Sequence, residues 1–120
     1  MRILVVDDEP AVRAAVDRAL RLDGHEVALA TDGREALDIV AGAPPDAMVL
    51  DLLMPRMNGF ETIPKLRTKH PEIAIIAYTA VAGDFVRNEM SRLHIPLVLK
   101  SGAFNRLDGV LRELSGATHD

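Results

Sequence analysis

Cysteine is absent from the chain, which excludes disulfide frameworks, thiolate nucleophiles and zinc-thiolate sites together and fits a reducing compartment. Also missing is any long hydrophobic run: the first apolar stretch, residues 3–6, is far shorter than a signal-peptide core or a membrane span. Charge of one sign is not gathered anywhere. The 14 basic and 18 acidic residues give a formal charge of -4 and form no long block, so no nucleic-acid or membrane surface is advertised. His25, His70, His94 and His119 are dispersed at or near loops and the terminus, with no cluster that would favour zinc. Repeats and low-complexity tracts are lacking too. What remains is 120 residues with 48% hydrophobic content, enough for one domain to bury a core and fold alone. A cytoplasmic location is expected.

Apolar, largely β-branched runs recur at residues 3–6, 27–30, 47–50, 73–78 and 97–99. Several are continuous, as suits strands covered on both faces. Between them fall helical spacings: Val12, Ala15, Val16, Ala19 and Leu20; Ala36, Leu37 and Val40; Phe60, Ile63 and Leu66; Phe85, Met90 and Leu93; and finally Leu107, Val110, Leu111 and Leu114. Turn residues agree with this division. Pro10 suits a first helical turn, Asp23-Gly24 closes one helix, Asp32-Gly33 opens the next, Ala43-Pro44-Pro45 forbids continuation, Asn58-Gly59 opens the third and Pro71 follows it. Pro64 is the exception, because inside the third helix it lacks an N–H and predicts a kink or a late start. Met48, Met54 and Met57 are read as packing residues.

A fivefold βα alternation implies parallel strands with right-handed crossovers, hence an open α/β sheet between layers of helices. The domain is expected over residues 1–115, with 116–120 a polar tail or the start of a linker. In an open doubly wound sheet, ligands sit beyond the carboxyl ends of the strands, where strand order reverses. The residues after the five runs are Asp7-Asp8, Thr31, Asp51, Thr79 and Lys100. All are polar. If the order is 2-1-3-4-5, strand two lies at an edge and Thr31 drops out, leaving three carboxylates, a hydroxyl and an ammonium around one crevice. Such a group of acids is unfavourable unless something cationic neutralises it. Magnesium does so, taking carboxylate, carbonyl and water oxygens and sharing ligands with a phosphoryl group. Singly, each residue has a plainer use: Asp8 and Glu9 as acids at a helix N-terminus, Asp51 as a strand end, Thr79 as a turn start, Lys100 as a solvated cation. Their joint occurrence is what points to a site.

The motifs VVDDEP, VLDLLMPRMNGFE, IIAYTA and LVLK stand in that order at the first, third, fourth and fifth strand ends. Over essentially the whole chain they resemble the receiver domains of two-component response regulators, with DLLMPRMNG the most specific stretch. The resemblance implies a flavodoxin-like (CheY-like) doubly wound sheet with five helices, serving as a phosphorelay switch and not as a turnover enzyme. It further implies that Asp51 accepts a phosphoryl group from a phosphohistidine. Mg2+ would be held by the Asp8 and Asp51 side chains and the Leu53 backbone carbonyl, with Asp7 reaching it through water. Thr79 would bond a phosphoryl oxygen, and Lys100 would pair with the phosphoryl charge. Phosphoryl transfer asks for little more than an in-line nucleophile and positive charge on the equatorial oxygens.

Implied partners are a sensor histidine kinase or a histidine phosphotransfer protein, docking near the first helix, where Arg13, Asp17, Arg18 and Arg21 lie. A homodimer is also implied, through the face built from the fourth helix, fifth strand and fifth helix, with Phe85, Arg87, Asn88, Arg92 and Arg106 on or near it. Contact of this domain with nucleic acid or a membrane is not expected. Two departures from the family stand out. Lys100 is followed by Ser101-Gly102 where the family has proline, which predicts a looser loop, and Leu97 replaces an aromatic, so switching is expected to be smaller or to run through the loop at residues 79–84. Apolar Leu53 and Val81, flanking the path of attacking water, predict slow self-dephosphorylation. Two other readings compete. A phosphorylation-lapsed pseudo-receiver would keep the fold as an interaction module, and a haloacid-dehalogenase-like phosphatase would use similar parts in a different chain order, with a second acid where Leu53 stands.

Overall fold

The computed structural model describes residues 1–80, 82–102 and 104–116. Strands β1 (Arg2–Val6), β2 (Glu26–Ala30), β3 (Ala47–Leu50), β4 (Ala74–Thr79) and β5 (Leu97–Leu99) alternate with helices α1 (Pro10–Leu22), α2 (Gly33–Gly42), α3 (Gly59–Lys69), α4 (Asp84–Arg92) and α5 (Phe104–Gly116). All pairings are parallel, in the order β2-β1-β3-β4-β5. The anticipated order is therefore the observed one.

Because strand side chains alternate between faces, each inner strand feeds two apolar layers. Leu4, Val6, Met48, Leu50, Ile75 and Ala77 pack with Ala36, Val40, Ile63, Leu66 and Met90 of α2, α3 and α4. Ile3, Val5, Val49, Ile76 and Tyr78 pack with Val16, Leu20, Leu107 and Leu111 of α1 and α5. Continuous apolar runs were the sequence sign of this two-sided burial. Burying each of the Val, Leu, Ile and Met side chains among them contributes roughly 1.5–3 kcal/mol. Strand β2 lies at the edge, where Glu26, Ala28 and Leu29 are exposed.

Local chemistry sets the helix starts. Asp32 and Asn58 cap α2 and α3 by accepting from the N–H of Glu35 and Glu61, the latter in a reciprocal capping box. Pro10 opens α1 at the first turn. Some expectations shift. The fourth strand begins at Ala74 instead of Ile73 and includes Thr79, so the hydroxyl belongs to the sheet and not to the following turn. Pro64 does not delay α3, which starts at Gly59 because the Asn58 cap fixes it there, and the helix carries the proline in its interior. Met48 is fully buried and Met54 packs against the same layer, as packing residues should. Lys100–Gly102 forms one 3-10 turn directly after β5. Among the described residues, no helix is long and apolar enough to cross a membrane.

Candidate functional site

Parallel register delivers the polar residues to one end of the sheet. Val6 lies opposite Leu50, and the ladder continues one step further, with the Asp51 N–H donating to the Val6 carbonyl at 3.0 Å and the Asp7 N–H donating to the Ala30 carbonyl at 3.1 Å. The two acids are thus held at neighbouring strand ends by backbone bonds. Thr79 pairs with Leu99, which places Lys100 just beyond it.

The structure brings the predicted cluster together. Carboxylate oxygens of Asp7, Asp8 and Asp51 lie within 4.8 Å of one another. Asp7 and Asp51 are buried, at 2% and 4% exposure, and Asp8 stands at the more open side. Lys100 Nζ sits between two of the acids, 2.7 Å from Asp7 Oδ2 and 3.2 Å from Asp51 Oδ2, with Glu9 Oε1 further out at 3.5 Å. The other oxygen of each buried acid accepts a backbone N–H: Asp7 Oδ1 from Glu9 at 2.9 Å and Asp51 Oδ1 from Leu53 at 3.2 Å. Leu53 itself is 52% exposed at the rim.

Burial pushes the Asp7 carboxyl above its usual range, against the opposing pull of the Lys100 hydrogen bond and the Glu9 N–H, and the charge of Asp51 adds to the rise. Burial alone would lower Lys100, but its hydrogen bond to Asp7 and the charge of Asp51 outweigh that, so the ammonium is held above its ordinary value. One ammonium against this many acids leaves the pocket short of positive charge. The donor set is all oxygen and includes two buried acids, which fits a hard cation such as Mg2+ and not a soft or imidazole-seeking one.

Thr79 is fully buried, and its Oγ1 has no hydrogen-bond partner among the described residues. A buried hydroxyl left without a partner costs about 1–3 kcal/mol. Leu97 pairs with Ala77, two residues before Thr79 on the same face of the sheet, and packs against the α2-α3-α4 layer. Glu9 does stand at the N-cap of α1 with Asp8 before it, as acids at a helix N-terminus would, although the Glu9 side chain makes no capping hydrogen bond.

Sequence reasoning missed some participants. Glu9 shares Lys100, and Arg13 Nη1 donates to the Asp7 carbonyl at 2.7 Å, which ties α1 to the pocket. The run of acids before Pro10 hinted at the first; nothing marked the second. Of the α1 surface residues, Arg21 pairs with Asp17 at 2.6 Å and Arg18 is exposed. Phe85, Arg87, Asn88, Arg92 and Arg106 are all exposed; Phe85, at 71% exposure, also has its ring centroid 6.2 Å from that of Phe60 of α3, and Arg92 lines a groove of about 280 Å³ between α3 and α4. Val81 lies outside the described residues.

Comparisons with known proteins converge. The family described as "Response regulator receiver domain" matches residues 3–108. The response regulator MprA of Mycolicibacterium vanbaalenii is 50% identical over 80 residues, 67% of this chain and 35% of that protein, so the matched stretch spans about a third of the length of such curated relatives. Among solved structures, the response regulator TrrA from Thermotoga maritima in complex with Mg(2+)-BeF shares 34% identity with a TM-score of 0.84, covering 94% of this chain and 97% of that one. The complex of the histidine kinase ThkA with TrrA gives 35% identity and a TM-score of 0.83 over the same shares. Chemotaxis protein CheY4 of Vibrio cholerae aligns with a TM-score of 0.86 at 28% identity over 94% of this chain and 97% of that one. With the strand order, the acid cluster at the strand ends and the family match over most of its length all in agreement, the chain belongs to the response regulator receiver domains of two-component systems.

Proposed function

We propose that this receiver domain takes a phosphoryl group onto a carboxylate oxygen of Asp51 from the phosphohistidine of a sensor histidine kinase or histidine phosphotransfer protein. The P–N bond of the donor breaks as the O–P bond to Asp51 forms, and the imidazole leaves with a proton. The observation that carries this reading is the buried Asp51 carboxylate with Lys100 Nζ at 3.2 Å and two further acids beside it. Lys100 is positioned to follow the charge from the carboxylate to the phosphoryl oxygens. Thr79, at the next strand end, offers an O–H with no partner among the described residues.

Asp8 and Asp51 side chains and the Leu53 carbonyl would hold Mg2+, with Asp7 acting through water. When bound, the ion supplies the positive charge that the pocket lacks. TrrA in complex with Mg(2+)-BeF supports this assignment by likeness, and the kinase complex of the same protein supports the partner class. The working unit runs through the end of α5 at Gly116, one residue beyond the expected boundary at 115, and acts in the cytoplasm; the rest of the expected tail or linker, residues 117–120, lies outside the described residues. The exposed Phe85, Arg87, Asn88, Arg92 and Arg106 are candidates for partner or homodimer contacts near α4, β5 and α5.

Incubation with acetyl phosphate and Mg2+, read by intact mass, tests the reading. One phosphoryl adduct is expected, lost on treatment with hydroxylamine and absent from Asp51→Asn. No adduct, or one that survives the substitution, would favour an interaction module instead, and steady turnover of a generic phosphate ester would favour a phosphatase.

A further inference from the structure

The loop between β3 and α3, residues 51–58, carries both the Asp51 carboxylate and the Leu53 carbonyl. Arg56, within it, has φ 64°. That left-handed conformation costs a residue with a Cβ about 1–2 kcal/mol, and the function proposed above gives no reason for it. The reason lies across the fold. The Arg56 Nε donates to Asp32 Oδ2, and Asp32 is a buried carboxylate, only 4% exposed, whose other oxygen caps α2 by accepting the Glu35 N–H at 2.9 Å.

Two further contacts close the same junction. The Gly33 N–H donates to the Met57 carbonyl at 2.9 Å. Gly33 also leaves no room for a side chain: a Cβ there would lie 1.9 Å from Thr62 Oγ1 and 2.9 Å from the Met57 carbonyl oxygen. Thr62 Oγ1 in turn donates to the Asn58 carbonyl at 2.7 Å. The start of α2 is therefore clamped onto the far half of the acceptor loop, while the near half is held by Leu53 N–H on Asp51 Oδ1 and Gly59 N–H on the Leu52 carbonyl. Met54 and Pro55 are all that separate Leu53 from Arg56.

We infer that Arg56 and Asp32 are positioning residues for the acidic pocket: their ion pair pins the loop in its left-handed turn and so fixes where the Leu53 carbonyl stands relative to Asp7, Asp8 and Asp51. The inference rests on the proposed function, since it concerns the same cation. Outer contacts of this kind are worth about tenfold or more in metal affinity. A purely structural clamp would change stability and leave affinity alone.

Titration of the full chain with Mg2+ by calorimetry, without phosphodonor and well below the melting temperature, separates the two. Arg56→Ala and Asp32→Asn are each expected to weaken Mg2+ binding by about tenfold, with the double variant no weaker than the singles because they remove one interaction. Arg56→Gly is the decisive variant. Glycine takes φ 64° without strain, so backbone relief alone would leave affinity unchanged, whereas loss of the pinning contact weakens it as much as Arg56→Ala does. Arg56→Lys, which keeps the charge, should recover part of the affinity. Wild-type affinity in Arg56→Gly and Arg56→Ala overturns the inference alone; a wild-type chain that does not bind Mg2+ at all overturns the proposed function with it.

Discussion

Single side chains here are set against stability in favour of chemistry. Thr79 keeps a buried hydroxyl without a partner among the described residues, so Thr79→Val, which keeps the shape and removes the orphan, should raise unfolding free energy by about 1 kcal/mol in a urea titration while impairing the response to phosphorylation. A loss of stability would mean that the hydroxyl has a partner in solution. Leu53 makes the opposite kind of choice, an apolar side chain 52% exposed beside the acceptor. It cannot orient water. Leu53→Asn is expected to speed release of phosphate from the phosphorylated chain, measured after removal of donor; an unchanged rate would place control of lifetime elsewhere. Both residues were legible as strand-end or motif positions. What the sequence hid was their condition: a run such as IIAYTA says that a hydroxyl ends the strand, not that it goes unpaired.

At the level of elements, two helices end by one geometry with different residues. After α1, the N–H of Gly24 donates to the Arg21 carbonyl and that of His25 to the Leu20 carbonyl, with Gly24 at φ 89°. After α4, the N–H of His94 donates to the Ser91 carbonyl and that of Ile95 to the Met90 carbonyl, with His94 at φ 57°. These are paired Schellman closures. Glycine made the first readable as Asp23-Gly24; histidine in the second left no mark, because nothing in its chemistry announces a positive φ. His94→Gly should stabilise the fold by about 0.5–1 kcal/mol, and Gly24→Ala should destabilise it by about 1 kcal/mol or more, both by thermal or urea unfolding. The same limit hid the clamp on the acceptor loop, since Asp32 and Arg56 stand 24 positions apart and each looks ordinary alone. Pro64 was legible as an anomaly, and the Asn58 capping box explains why α3 nevertheless starts before it.

Across the whole molecule, strand order was readable because alternating βα units leave few topologies open, and the site followed from the order. Its charge balance carries a pH signature. Asp32 is held below its usual range by the Glu35 N–H and the Arg56 guanidinium, whereas Asp7 is raised by burial. A depressed carboxyl contributes stability above its unfolded value, about 3.9, and loses that contribution as pH falls through the folded value. The wild-type curve mixes the two acids, so the difference between wild type and Asp32→Ala is the useful measurement. It should be about 1 kcal/mol or more at pH 7 and shrink below pH ~3.9; a gap that stays constant through the acid range would refute the assignment. Lys100, finally, is the cation that lies between acids separated from it by much of the chain, at positions 7 and 51. On a ribosome the carboxylates are therefore made long before their counter-charge, and a nascent chain truncated ahead of the last strand would have to leave that end of its sheet open to water or borrow an ion from the cytosol until synthesis catches up.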